Sequence, residues 1–165
     1  ATPDDVRTVG ALVLDQCCGL FFTASADGDG QPDVSVKGGE PGFVKILDEH
    51  TLAVPHYDGN GMFRSLGNVR VNPQVALLFV DFTDPDRLRV LGDATIDLED
   101  PLVETWPGAQ LVVRVKIRQI FPNCPRYIPK MRLVDASPFL PKAGRKAPVP
   151  GWKTFPAFRD HLPRH

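Results

Sequence analysis

The chain has 165 residues, 42% of them apolar and 24% charged, with a formal net charge of −1 and a mean hydropathy of −0.13. That size and balance fit one soluble globular domain and exclude a wholly disordered chain. The near-zero charge offers no bulk attraction for nucleic acid or an anionic membrane, and no apolar run approaches the roughly 20 residues of a membrane span.

Taken in chain order, Thr2-Pro3-Asp4-Asp5 is a helix start, with an N-cap hydroxyl, a proline at the first helical position and acids at the positive end of the dipole. Val6, Val9, Leu12 and Val13 follow at helical spacing, so a short amphipathic helix is expected to end near Gln16. The adjacent Cys17 and Cys18 read as small apolar packing residues. With only three cysteines in all, no disulfide framework is expected and a reducing cytoplasm is the default setting.

Beyond Cys18 the hydrophobic period changes to two. Gly19 to Ser25 reads as a strand, Asp27-Gly28-Asp29-Gly30 as hairpin turn chemistry, and Asp33 to Lys37 as the return strand. Phe43 to Leu47 and Leu52 to Pro55 repeat the hairpin around a turn at Asp48-Glu49-His50. Gly61 to Val71 reads as a helix that stops before Asn72-Pro73. Val75 to Phe82, Leu88 to Leu98 and Leu111 to Phe121 are three further strands. About seven strands without a strand–helix alternation predict an antiparallel β-barrel carrying a few helices.

Proline sets off the end of the chain. Of 17 prolines, 9 lie between Pro122 and Pro163, so this stretch must be extended or looped. From Pro138 onward six Lys and Arg face a single acid, Asp160. Phe139, Leu140, Trp152, Phe155 and Phe158 give this stretch anchors that a solvated linker lacks. We therefore divide the chain into a domain over 1–137 and a basic arm over 138–165, packed on the domain or on a dimer partner.

Several motifs can be set aside. Asp27 to Asp33 spaces its acids like a calcium loop, but Pro32 stands where that loop needs glycine and Gly38 where it needs glutamate. A hairpin turn is the better reading. His50, His56, His161 and His165 lack metal-ligand spacing, and no metal is expected. Ser65 lacks the first glycine of a nucleophile elbow, and no dinucleotide or Walker phosphate motif occurs.

Four features keep two readings each. In Asp58 to Asn68 a glycine-rich loop turns into a helix with Arg64 and Ser65 in its first turn. This is either a solvated first turn or a phosphate cradle built of free N–H groups, a guanidinium and a hydroxyl. Ser35 and Lys37 share one face of their strand, either as an exposed strand end or as a cation aimed at a ligand. Asn123-Cys124-Pro125-Arg126-Tyr127-Ile128 closes the longest strand, either as a proline-fixed bend or as a functional segment. His56 and Tyr57 are either structural or part of a site.

In their order along the chain, these pieces resemble the pyridoxamine 5'-phosphate oxidase-like family of flavin-binding split β-barrels. The landmarks are Phe21 to Asp27, Ser35 to Gly39, Pro41 to Asp48, Gly59-Asn60, Ser65 to Asn68, Val71 to Phe79, Arg87 to Gly92 and Asn123 to Ile128. The resemblance implies a homodimer with flavin mononucleotide (FMN) at the subunit interface. It implies a phosphate on Lys37, Arg64 and Ser65, with Ser35 and Val36 along the isoalloxazine ring and Asn60 and Asn68 as polar contacts. Asn123, Cys124, Arg126 and Tyr127 would reach the flavin from the partner chain.

The chemistry so implied is two-electron transfer between a nicotinamide donor and a small-molecule acceptor. The same resemblance leaves room for a flavin-binding module without turnover, or for deazaflavin F420 or haem in the same barrel. Ser65 follows Arg64 where the authentic oxidases carry a further cation, and their C-terminal substrate pattern is missing, which argues against the vitamin B6 reaction itself.

Overall fold

The computed structural model describes residues 19–145, 147–159 and 161–162. The expected N-terminal helix and the Cys17–Cys18 pair lie outside the described residues.

Seven strands form one sheet: β1 (Leu20–Ala26), β2 (Pro32–Gly38), β3 (Lys45–Asp48), β4 (Thr51–Tyr57), β5 (Gln74–Asp81), β6 (Asp86–Asp97) and β7 (Ala109–Pro122). Their order is β2-β1-β5-β6-β7-β4-β3, and every neighbouring pair is antiparallel. The sheet coils into a split β-barrel whose two outer strands, β2 and β3, are not paired with each other. Helix α1 (Arg64–Val71) packs against β1, β6 and β2.

The strands fall within a residue or two of their expected limits. At the β1–β2 turn the Asp27 carboxylate accepts the N–H of Asp29 (3.0 Å) and of Gln31 (2.9 Å), which is hairpin geometry. The helix begins later than its expected start at Gly61. Gly61 and Phe63 sit at φ +75° and +50°, outside right-handed helix, and so hold the chain in a turn until Arg64.

The core is aliphatic and aromatic. Phe21, Leu52, Phe79, Leu88, Val90, Val112, Val115 and Ile120 are all buried, and Phe21 stacks between Phe43 and Phe79. The two longest strands bend at a register shift between Leu91 and Gly92. A Cβ on Gly92 would stand 2.4 Å from the Lys116 carbonyl oxygen, so only glycine permits the bend.

A 3-10 turn, Pro101–Thr105, is capped by Asp100, whose carboxylate accepts the Leu102 N–H (3.0 Å) and a two-pronged contact from Arg114 (2.6 and 3.1 Å). The Arg114 guanidinium holds the Asp100 carboxyl below its ordinary range.

After β7 the chain runs extended and exposed. It then returns to the barrel through a Lys142–Glu40 ion pair (3.0 Å), a 3-10 turn (Gly151–Thr154) and a one-turn helix α2 (Pro156–Arg159). Phe139, Phe155 and Phe158 remain about half exposed.

Candidate functional site

The site is a cavity of about 550 Å³ along the open seam of the barrel. Its walls are the outer strand β2, the end of β4, the loop Asp58 to Phe63 and the first turn of α1. That volume lies within the range of natural small-molecule sites.

Strand β2 supplies its side chains by simple alternation. Asp33, Ser35 and Lys37 point to the half-buried face, while Val34 and Val36 stand exposed on the other and border the mouth. Lys37 reaches across to the helix start, where its ammonium donates to the Ser65 hydroxyl at 3.3 Å. Burial pulls its pKa down and Asp33 partly opposes this. Lys37 makes no ion pair among the described residues, so it is a partly dehydrated cation short of a counter-charge.

The start of α1 lies beside this ammonium. No side chain caps it and its first turn holds no acid. Arg64 stands beside Ser65 with its Nε 3.4 Å from Asp33 Oδ1 and its side chain 59% exposed. An incoming dianion would compete with Asp33 for that guanidinium. The turn that delivers these groups is strained: Phe63, a bulky residue at positive φ, is held with its ring centroid 5.6 Å from the His56 ring.

Two titratable groups of β4 complete the wall. Burial, and then the Lys37 charge, push the His56 pKa down to about 4, against a smaller pull from Asp58. The imidazole is therefore neutral at physiological pH, offering one donor and one acceptor. Burial and Glu40 raise the Tyr57 phenol, which stays protonated and able to donate. Asn60 borders the cavity, with its Oδ1 accepting the Met62 N–H within the loop (3.0 Å).

Ser35, Val36, Lys37, Asn60, Arg64 and Ser65 all line this one cavity. Asn68 does not border it. One helical turn beyond Ser65, about 4.5 Å along the axis, Asn68 is buried and donates to Ser25 Oγ at 3.0 Å, tying α1 to β1. Asn123, Cys124, Arg126 and Tyr127 do not border this cavity either. They follow β7, where the Asn123 N–H donates to the Arg87 carbonyl (3.2 Å) and Pro125 begins a turn closed by Ile128 (2.8 Å). Asn123 Oδ1 and Arg87 Nε are buried there with no hydrogen-bond partner among the described residues. Among the described residues no group of three His, Cys, Asp or Glu is placed to hold a metal ion.

Sequence reasoning left out Asp33 and Phe63. The alternation that put Ser35 and Lys37 on one face extends to Asp33, so that residue was within reach. Nothing in the sequence marks a phenylalanine for positive φ.

These features make the chain a split β-barrel with an uncapped, cation-flanked helix start at its seam. The family model described as pyridoxamine 5'-phosphate oxidase matches residues 14–132, and the chain belongs to that family. Among solved structures it is similar to HupZ of Group A Streptococcus (22% identity, 67% of this chain and 90% of that one, TM-score 0.54). It is also similar to General Stress Protein 26 of Bacillus anthracis (14%, 73% and 95%, TM-score 0.51). A protein of Lactobacillus delbrueckii, provisionally named a pyridoxamine 5'-phosphate oxidase, matches at 22% identity over 73% and 93% with a TM-score of 0.52. At such identities these likenesses speak for the fold. No curated protein matched the chain.

Proposed function

We propose that the protein binds FMN along the barrel seam and acts as an FMN-dependent oxidoreductase in the cytoplasm. The observation that carries this reading is Lys37: a half-buried ammonium that forms no ion pair among the described residues, with Asp33 only partly offsetting its burial, 3.3 Å from Ser65 at an uncapped helix start. A phosphate dianion supplies the missing charge and accepts from Lys37, Arg64, Ser65 and the leading N–H groups of α1. The size of the cavity and its donor set fit a phosphorylated heterocycle.

Bound flavin supplies two-electron transfer, here between a nicotinamide donor and a small-molecule acceptor. The protein's own groups bind and orient. Ser35 and Val36 lie along the wall that a planar ring would follow. Neutral His56 and protonated Tyr57 offer hydrogen bonds without adding charge. Asp33 limits how tightly Arg64 can hold an anion.

The reading includes a homodimer. The outer strand β2 exposes Val34 and Val36 beside the cavity, an apolar edge suited to cover by a second copy. That copy would bring its own Asn123, Cys124, Arg126 and Tyr127 to the flavin. Among the described residues no helix is long and apolar enough to cross a membrane.

The test is the absorption spectrum of freshly purified protein, with mass spectrometry of what heating releases. Flavin bands and a released mononucleotide are expected, with bleaching by NADH or NADPH under nitrogen and recovery on adding an acceptor. A Soret band or a deazaflavin mass contradicts the FMN assignment, and flavin that no nicotinamide reduces contradicts the oxidoreductase assignment.

A further inference from the structure

The loop Asp58 to Phe63 forms one rim of the cavity and delivers the helix start, yet it has little to hold it. It contains Gly59 and Gly61; within it the Asn60 side chain accepts the Met62 N–H, and at its end Phe63 meets the His56 ring. Such a loop retains much conformational freedom unless something outside it fixes it.

The external fixture is the C-terminal arm. Lys153, 95 residues away in sequence, donates to the Asp58 carboxylate. The Lys153 side chain is 11% exposed and that of Asp58 43%, so the lysine half of the pair is packed while the carboxylate still meets solvent. Its ammonium also lies 5.7 Å from the Trp152 ring centroid, and Trp152 meets Phe158 edge-on at 5.9 Å. The arm is steadied on the same barrel by Lys142 on Glu40 (3.0 Å) and by Pro141 seated against Gly108, where a Cβ would come within 2.8 Å of the proline. The Lys153 side chain is held by packing, whereas both side chains of the Lys142–Glu40 pair are about half exposed, so less side-chain freedom remains to oppose the Lys153–Asp58 contact.

We propose that Lys153 is a positioning residue of the seam site: by its pair with Asp58 it fixes the rim loop, which makes the arm a working part of the cavity. The consequence for the cofactor rests on the FMN reading above; the consequence for the loop does not.

The experiment uses the full chain. Hydrogen exchange of the Asp58 to Phe63 amides is followed without ligand, and FMN release is followed by the recovery of flavin fluorescence. Lys153→Ala and Lys153→Gln should speed exchange in this loop while amides of Val90 and Val112 keep their rates, and FMN release should quicken about fivefold. Lys153→Arg should stay near wild type. Lys142→Ala, which removes the exposed clamp, should leave both readouts unchanged. Unchanged loop exchange in Lys153→Ala overturns the proposal, and so does faster exchange with unaltered FMN release. If the wild-type protein takes up no FMN, the cofactor reading fails, and the exchange data alone decide whether Lys153 holds the loop.

Discussion

The two sides of this barrel follow opposite rules. On the closed side, β5, β6 and β7 pair along nearly their whole lengths, and Leu88, Val90 and Val115 lie between them with almost no exposure. Along the seam the sheet stops at β2. There a lysine is partly dehydrated with no ion pair among the described residues, a phenylalanine takes positive φ and a helix begins without a side-chain cap. Each of these seam features disfavours folding. Their concentration at one cavity is the pattern expected if the seam serves the proposed ligand and the closed side serves the fold.

Substitutions on the two sides should therefore fail differently. The largest expected effect is on ligand choice: replacing both Lys37 and Arg64 with alanine removes two charge-assisted contacts, about 3–6 kcal/mol, or at least a hundredfold in FMN affinity. On the closed side, Leu88→Ala should cost about 2–5 kcal/mol in urea unfolding, while leaving the ratio of FMN to riboflavin affinity unchanged.

A sharper contrast comes from Lys37→Met. Since burial disfavours the charged ammonium, this variant should raise the urea midpoint even as it weakens FMN binding. No closed-side change should combine those two effects.

The pH dependence belongs to the seam as well. His56 titrates near pH 4 in the folded protein against its ordinary value of 6.5, so the unfolded chain binds the extra proton between those values. The stability from neutral His56 is complete above pH 6.5 and declines as pH falls toward 4, a slope that His56→Gln should flatten. The smallest effect is that of Asp33→Asn, which frees Arg64 from an exposed pair and should tighten FMN binding about two- to fivefold in an equilibrium titration.

How much of this the sequence discloses follows the same division. The closed side is legible because period-two alternation and hairpin turn residues are local signals, and all seven strands stand where those signals put them. The cluster of Ser35, Lys37, Asn60, Arg64 and Ser65 is legible once a loop-to-helix turn is combined with strand alternation and the family resemblance. Asn68 shows the limit: a polar residue three positions after Ser65 serves the helix–strand contact with Ser25. The tie between Lys153 and Asp58 is of another kind. No periodicity links residues 95 apart, so only the path of the folded arm reveals it.

The account depends on a phosphate bound between Lys37 and the first turn of α1. Equilibrium titration of FMN and riboflavin into apoprotein, wild type and Lys37→Ala/Arg64→Ala, tests this most directly. We predict a wild-type preference for FMN that collapses in the double variant, with riboflavin affinity within about twofold of its starting value. Equal loss of both ligands, or a wild-type protein that does not distinguish them, would contradict the account.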